Sequence, residues 1–153
     1  NAEVCNLHLI IDDCLMMLQN KYKDRITITK NYTSTPAEVI GNNGKLHQAI
    51  LNLLANAMDA ISEKGEITIE TKFLKDELAI IIGDNGCGIP RENLKKVMDP
   101  FYTTKPPGVG TGLGLSITHS IIQEHEGSLT ITSEVEKGTQ VAIGLPKEKK
   151  HAK

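Results

Sequence analysis

The segment GEITIETKFLKDELAIIIGDNGCGIP, residues 65–90, decides the fold because it contains two strand patterns in succession. Apolar and polar residues alternate over 65–74, and residues 77–84 form an almost continuous apolar run. Lys75-Asp76 between them fits a tight turn. We therefore predict a β-hairpin whose second strand ends at Asp84.

Asp84 is followed by Asn-Gly-Cys-Gly, so this strand end has two interpretations. D-N-G is ordinary turn chemistry, and a plain connection from strand to helix explains it. Alternatively, the carboxylate accepts a hydrogen bond from an exocyclic amine, while the glycines let the backbone approach a flat ring.

Upstream, residues 43–62 have the apolar spacing of a long amphipathic helix. At about 100° per residue, five polar residues fall within one narrow arc on another side of that helix. They are Gln48, Asn52, Asn56, Asp59 and Glu63. A solvated polar face is one explanation. The other is a cleft in which a carboxamide oxygen serves as a neutral, hard ligand for Mg²⁺ bound to phosphates.

Downstream, residues 99–114 contain three prolines and four glycines, which predicts a long loop before a helix over 115–127. Alternate glycines ahead of a helix can wrap a polyphosphate with backbone N–H groups. A dinucleotide-binding turn is excluded because no strand precedes these glycines. A Walker A loop is excluded because Gly44-Lys45 is followed by Leu46.

The remaining patterns add helices and strands in alternating blocks. We predict a helix over 6–22, strands over 25–32 and 37–41, a short helix over 91–99, and a final hairpin from 128–135 and 139–146. Together these predict an α/β two-layer sandwich with helices on one face of a sheet.

Composition narrows the functional classes for this chain of 153 residues. The net charge of −2 argues against a general binder of nucleic-acid backbones, and 3% aromatic residues argue against a stacking platform. Three cysteines without a C-x-x-C motif indicate reduced thiols rather than disulfides or zinc. We find no membrane-spanning run or signal peptide. Because the sequence does not begin with Met, we expect it to be part of a longer parent protein. Such a parent can be anchored in a membrane by segments outside this sequence.

Five motifs occur in a fixed order, N-x-x-x-N-A-x-D-A, D-N-G-x-G-I-P, D-P-F-Y-T-T-K, G-x-G-T-G-L-G-L and G-T. Over residues 4–146, this order resembles the catalytic and ATP-binding domain of bacterial sensor histidine kinases. These kinases belong to the superfamily of gyrase, the heat-shock chaperone and mismatch-repair ATPases. The resemblance implies the Bergerat ATP-binding fold, with a mixed sheet of about five strands packed on about three helices and an ATP lid.

The resemblance also implies roles for individual residues. Asn56 is expected to bind Mg²⁺, Asp84 to bind the adenine amino group, and Lys105 to lie beside the phosphates. Asn52, Asn56 and Lys105 form the expected catalytic set. The full set expected around ATP is Asn52, Asn56, Asp59, Asp84, Gly86, Gly88, Ile89, Phe101, Thr103, Thr104, Lys105, Gly110, Thr111, Gly112, Leu113, Gly114 and Thr139.

The resemblance distinguishes a kinase from a hydrolase at one position. The ATP-hydrolysing members carry a Glu where this chain has Asn52, and that Glu activates water as a general base. An amide cannot accept a proton at neutral pH, so Asn52 fits transfer to a protein nucleophile. We therefore expect an ATP-dependent protein-histidine kinase domain with ATP and Mg²⁺ as cofactors.

None of the five histidines lies in the phosphoacceptor motif of this family, His-Glu/Asp followed by Pro. The expected partner is therefore a separate dimerisation and phosphoacceptor domain of the same kinase and, through it, a response regulator. We expect a cytoplasmic domain that is monomeric as a fragment and contacts neither nucleic acid nor membrane. Residues 1–6 are expected to be linker, 7–146 the catalytic domain and 147–153 a charged tail.

Two other functions remain open at this point. The first is a nucleotide-gated binding module that closes a lid without phosphotransfer. The second is a serine kinase of the anti-sigma type, which shares the fold. Phosphotransfer to a supplied acceptor domain distinguishes them.

Overall fold

The computed structural model describes residues 2–88 and 113–147, with only the backbone described for Leu113 and Gly114. The strands are β1 (Glu3–Asn6), β2 (Ile26–Asn31), β3 (Glu38–Gly41), β4 (Gly65–Leu74), β5 (Glu77–Asp84), β6 (Ser128–Glu134) and β7 (Gly138–Pro146). The helices are α1 (Leu7–Met17), α2 (Gln19–Tyr22), α3 (Asn43–Asp59) and α4 (Leu113–Glu124).

The main sheet has five strands in the order β2-β4-β5-β7-β6. β2 and β4 pair in parallel, whereas the other neighbours are antiparallel, so the sheet is mixed. β1 and β3 form a separate antiparallel ribbon. The predicted two-layer α/β fold with a mixed sheet of about five strands is confirmed.

The core lies between one face of this sheet and the helices. Successive side chains of a strand point to opposite faces, so every second residue of β4, β5 and β7 faces inward. Leu78, Ile80 and Ile82 of β5 are buried there. α1, α3 and α4 cover that face with an apolar stripe each; buried members include Leu7, Ile11, Leu46, Ile50, Leu54 and Ile122.

Two asparagines define where α1 and α3 begin. The Oδ1 atom of Asn6 accepts hydrogen bonds from the backbone N–H of His8 and of Leu9. Asn42 Oδ1 likewise accepts from Lys45 N at 2.9 Å. Both side chains satisfy N–H groups that have no partner within the helix, which is why Asn is favoured at this position.

The amino-terminal prediction differs from the structure in two ways. Residues 3–6, expected as linker, form β1 and pair with β3, and Cys5 is fully buried. The helix predicted over 6–22 is broken at Leu18 into α1 and α2. Leu18 and Tyr22 continue the apolar spacing across the break, so periodicity does not reveal it.

The predicted ends of the two other helices also need correction. α3 ends at Asp59, so Glu63 lies beyond the helix and does not belong to its polar arc. α4 begins at Leu113, which shortens the predicted loop. It ends at Glu124 because Glu126 adopts a left-handed φ of 62°. The predicted helix over 91–99, most of the loop over 99–114, and residues 148–153 of the tail lie outside the described residues.

Candidate functional site

A polar row crosses the helix-facing side of the main sheet at one end. Apart from Thr71, the inward-facing residues of β4, β5 and β7 are apolar up to the row of Asp84, which pairs with Ile67 on one side and Thr139 on the other. Thr139 in turn pairs with Ser133 of β6. We call Asp84, Thr139 and Ser133 the polar row. At this row, polar side chains follow the apolar core residues of the sheet.

Asp84 is half-buried and held by backbone N–H groups. Its Oδ1 atom accepts a hydrogen bond from Gly86 N at 2.8 Å. Burial raises the pKa of this carboxyl above its usual range, and the N–H groups of Gly86 and Thr139 partly oppose that rise. A carboxylate in this environment gains from any further hydrogen-bond donor that approaches it.

The loop over 85–88 rests on the carboxyl-terminal end of α3. Cys87 N donates to Ala60 O at 3.0 Å, and Ala60 N donates to Asn56 O at 3.1 Å. On its other side, Glu136 N donates to Cys87 O at 2.7 Å. The hydrogen bonds beyond Asp84 therefore lead within one helical turn to Asn56.

Three glycines are required by close backbone approach around the polar row. A Cβ at Gly86 would collide with the carbonyl oxygen of Ala60, and one at Gly138 with that of Asp84. Gly88 has φ of +77° and Gly138 has φ of +125°, conformations that favour glycine. These positions keep the loop and the β6–β7 turn close to Asp84.

The hydroxyl of Thr139 is oriented by its neighbour. Ser133 Oγ donates to Gly138 O at 3.0 Å and lies 2.8 Å from Thr139 Oγ1. A serine has one hydroxyl hydrogen, so in this arrangement Thr139 is the donor within the pair. The remaining lone pairs of Thr139 Oγ1 are then acceptors.

On α3, the polar arc faces α4 at Asn52. Asn52 Oδ1 accepts from Gln48 Nε2 at 3.2 Å, and Asn52 Nδ2 donates to Thr118 Oγ1 at 3.5 Å. Thr118 is completely buried. Asn56 is half-buried one turn further along, and its carboxamide has no hydrogen-bond partner within the described part of the chain.

Helices α3 and α4 run antiparallel, which places the start of α4 beside Asn56. Lys45 pairs with Glu124, and Asn52 contacts Thr118, so positions rise along one helix as they fall along the other. Extending this register by one turn brings Asn56 to the level of Gly114. The positive end of the α4 dipole lies there.

Asp59 has a different described partner. Its Oδ1 atom lies 2.7 Å from Lys21 Nζ of α2. Next to it, the guanidinium of Arg25 donates from Nη1 to Ile61 O at 2.9 Å and from Nη2 to Met58 O at 3.3 Å. These contacts attach α2 and the start of β2 to the end of α3.

The structure thus brings Asn52, Asn56, Asp84, Gly86, Gly88 and Thr139 to one end of the molecule, together with the backbone of Leu113 and Gly114. Other predicted site residues lie outside the described residues: Ile89, Phe101, Thr103, Thr104, Lys105, Gly110, Thr111 and Gly112. Sequence reasoning missed Ser133 and Thr118. Thr118 carried a signal, since it is a polar residue on the apolar stripe of α4.

Comparison with known proteins identifies the family. Residues 41–149 match the family described as histidine kinase-, DNA gyrase B-, and HSP90-like ATPases. The chain belongs to this family.

The relatives narrow the class further. Sporulation kinase C of Bacillus subtilis (strain 168) is 38% identical over 128 residues, which are 83% of this chain and 29% of that protein. The signal transduction histidine-protein kinase AtoS of Escherichia coli (strain K12) is 34% identical over 143 residues, 92% of this chain and 23% of that protein. The chain therefore spans less than a third of the length of either relative.

A solved structure agrees with this assignment. The nucleotide-free catalytic domain of histidine kinase ThkA superposes with a TM-score of 0.86 at 28% identity, over 97% of this chain and 99% of that one. The predicted ATP-binding catalytic domain of the histidine kinase type is thereby confirmed. Among the helices of residues 2–88 and 113–147, none is both long and apolar enough to cross a membrane.

Proposed function

We propose that the chain binds Mg²⁺-ATP between the polar row and α3 and transfers the γ-phosphate to a histidine on a separate helical domain. The observation that carries this proposal is the hydrogen-bonded path from Asp84 through the loop over 85–88 to the end of α3. It links a half-buried carboxylate to the helical turn that carries Asn56, whose carboxamide has no hydrogen-bond partner among the described residues. The carboxylate suits the adenine end of a nucleotide, and the carboxamide suits the metal-bound phosphate end.

At the adenine end, Asp84 is the recognition residue. The N–H groups of Gly86 and Thr139 favour its ionised form, and an adenine amino group supplies the next donor. Gly86, Gly88 and Gly138 let the backbone pack closely against Ala60 O, Glu134 O and Asp84 O, which fixes the loop over 85–88 and the β6–β7 turn beside the proposed adenine position. Thr139 Oγ1 adds an acceptor on the β7 side.

At the phosphate end, Asn56 is the proposed Mg²⁺ ligand. Its carboxamide oxygen is a hard, neutral donor, and it has no competing partner among the described residues, so the chemistry fits. When bound, the metal ion neutralises charge on the β- and γ-phosphates. The backbone N–H groups at the start of α4, at Leu113 and Gly114, suit the phosphate oxygens. We assign to the ATP lid Thr103, Thr104 and Lys105, together with the glycines ahead of α4. A nucleotide contact at Asp59 remains a prediction.

Asn52 determines the reaction type in this proposal. Its carboxamide is held by Gln48 and Thr118 at the place where hydrolases of the family carry a general base. It cannot take a proton from water, so attack waits for an imidazole that is already nucleophilic. The acceptor is then the phosphoacceptor helix of the same kinase, which passes phosphate to a response regulator. We place this domain in the cytoplasm.

The test is an assay of the chain with labelled Mg²⁺-ATP, with and without the dimerisation and phosphoacceptor domain of its kinase. Alone, the chain should hydrolyse ATP far more slowly than about 1 s⁻¹, the lower end of ordinary enzyme turnover. With the acceptor it should form an acid-labile phosphohistidine. Asn56→Ala should abolish transfer, whereas Asn43→Ala, an exposed asparagine of the same helix, should not.

Three results would contradict the proposal. Fast hydrolysis by the chain alone would indicate an ATPase of the clamp type. An acid-stable phosphoserine would indicate the anti-sigma class. Binding of nucleotide without any transfer to the acceptor would indicate a nucleotide-gated binding module.

A further inference from the structure

A histidine joins the end of α4 to the start of α3, far along both helices from the proposed phosphate site. His125 Nε2 lies 3.0 Å from Asn42 N, the residue that caps α3. His125 Nδ1 lies 2.8 Å from Ile121 O in the last turn of α4. The ring therefore bridges the backbones of two elements that approach each other from distant parts of the sequence.

The two contacts determine which ring nitrogen carries the hydrogen. A backbone N–H can only donate, so Nε2 accepts from Asn42 and carries no hydrogen. A carbonyl can only accept, so Nδ1 carries the hydrogen and donates to Ile121 O. Both nitrogens of the neutral imidazole are thereby used, and no smaller side chain makes both contacts.

The ring packs against β3 and borders a cavity. At Gly41, a Cβ would collide with the His125 ring, so the glycine allows β3 to lie directly against it. Gly41, Asn42, Glu124 and His125 also line an open cavity of about 150 Å³, which shares no residue with the polar row. Because the ring borders a cavity, its two hydrogen bonds with backbone groups help to hold its position.

We propose that His125 is a positioning residue that fixes the register of α4 against α3 and so sets Asn56 relative to the start of α4. This inference rests on the proposed function, because only a nucleotide bridging the two helices makes that register matter for binding. The contact between Asn52 and Thr118 lies between the junction and the site, and it shares the same antiparallel register.

The neighbouring ion pair does not explain the register. Lys45 Nζ and Glu124 Oε1 are 2.8 Å apart, but both side chains are about half exposed, at 52% and 54%. Exposed pairs of this kind contribute little because solvent screens them and both side chains lose freedom. The ring, with backbone partners on both helices, is the more rigid connection.

The decisive comparison uses two substitutions that each keep one half of the ring chemistry. His125→Gln places an amide oxygen near the Nε2 position, and it keeps the acceptor for Asn42 N. His125→Asn places an amide near Nδ1, and it keeps only the link to Ile121. His119→Asn, the same substitution at a histidine within α4, is the control.

The measurement is binding of Mg²⁺-ATP by calorimetry and of adenosine by NMR titration, with thermal unfolding of each variant. We expect His125→Asn to weaken Mg²⁺-ATP by about three- to tenfold, the effect of one hydrogen bond. Adenosine, which makes no phosphate contacts, should stay within about twofold because the polar row is not disturbed. His125→Gln and His119→Asn should bind both ligands like the wild type.

Three results would overturn the inference while leaving the proposed function intact. They are unchanged Mg²⁺-ATP binding by His125→Asn, equal weakening of both ligands, and equal losses in the Asn and Gln variants. A wild-type chain that binds no nucleotide would instead refute the proposed function, and this inference with it. If His125→Asn does not fold, Gly41→Ala provides the test, since its methyl group must displace the ring from Asn42. It should also weaken Mg²⁺-ATP selectively, and wild-type binding by that variant would overturn the inference.

Discussion

At the scale of single residues, two opposing effects act on the pKa of the Asp84 carboxyl. Burial disfavours its charge, whereas the N–H groups of Gly86 and Thr139 favour it, and burial is the larger effect. The folded state therefore holds the proton of this carboxyl more tightly than the unfolded state does. In the free protein, the contribution of Asp84 to stability falls as the pH rises through its raised pKa.

Bound nucleotide should favour the ionised form of Asp84, so we predict that the affinity for ATP depends on pH. Only the ionised carboxylate accepts freely from the adenine amine, so ATP affinity should fall as the pH is lowered through the raised pKa of Asp84. Binding should also release protons, measurable by calorimetry in buffers of different ionisation enthalpy. Asp84→Asn should bind weakly and lose this pH dependence. The same pH dependence in wild type and variant would contradict the assignment.

Gly138 provides a second prediction at this scale. Its φ of +125° and the approach of Asp84 O leave no room for a side chain. Gly138→Ala should therefore lower the free energy of unfolding by about 1–3 kcal/mol, measured by urea denaturation. Gly83→Ala on β5 is the control, since nothing lies within 4 Å of a Cβ there. Equal stability of the two variants would show that the turn at Gly138 is not constrained.

At the scale of elements, Arg25 completes the carboxyl-terminal end of α3. It donates to Met58 O in the last turn of α3, which also accepts from Ile61 N, and to Ile61 O just beyond the helix, and its charge complements the helix dipole. This end of α3 also supports the loop over 85–88 through Ala60 O. A residue at the start of β2 thus supports the proposed nucleotide site.

Arg25→Ala should destabilise the protein by about 1–3 kcal/mol, because buried carbonyls lose charged donors. Hydrogen exchange should increase most at amides from about residue 56 to 61 and in the loop over 85–88. Arg25→Lys should recover only part of the loss, since an ammonium cannot reach both carbonyls with the same planar geometry. Uniform exchange across the protein would contradict the capping role.

The elements also show which features the sequence contains. The bounds of β4 and β5 were predicted correctly at 65–74 and 77–84, because a local apolar pattern and a two-residue turn define them. β1 was missed because its pairing with β3 is a contact between distant segments, and only Cys5 of its four residues is buried.

Gly127 was expected to end α4, yet Glu126 takes the left-handed conformation. Gly127 is needed instead because a Cβ would collide with Gly144 O.

At the scale of the whole molecule, the apolar pattern predicts a two-layer fold but not its topology. Nothing in Ile26–Asn31 specifies a parallel pairing with β4, nor that β7 lies between β5 and β6. The same limit applies to the site. Asp84 and Asn56 were predicted from separate motifs, whereas their proximity depends on how the loop over 85–88 packs on α3. Ser133 and His125 act through partners that only the fold reveals.

The central claim is that Asp84 and its surroundings form the adenine site of an ATP-binding domain. The most direct test is calorimetric titration of Mg²⁺-ATP into the wild-type chain, Asp84→Ala and Asp76→Ala, an exposed aspartate in the β4–β5 turn. We predict binding by the wild type and by Asp76→Ala, and for Asp84→Ala a loss of about 1.5–3 kcal/mol, the range for a hydrogen bond to a charged group. Equal affinity of the three proteins, with Asp84→Ala folded by thermal unfolding, would contradict the account.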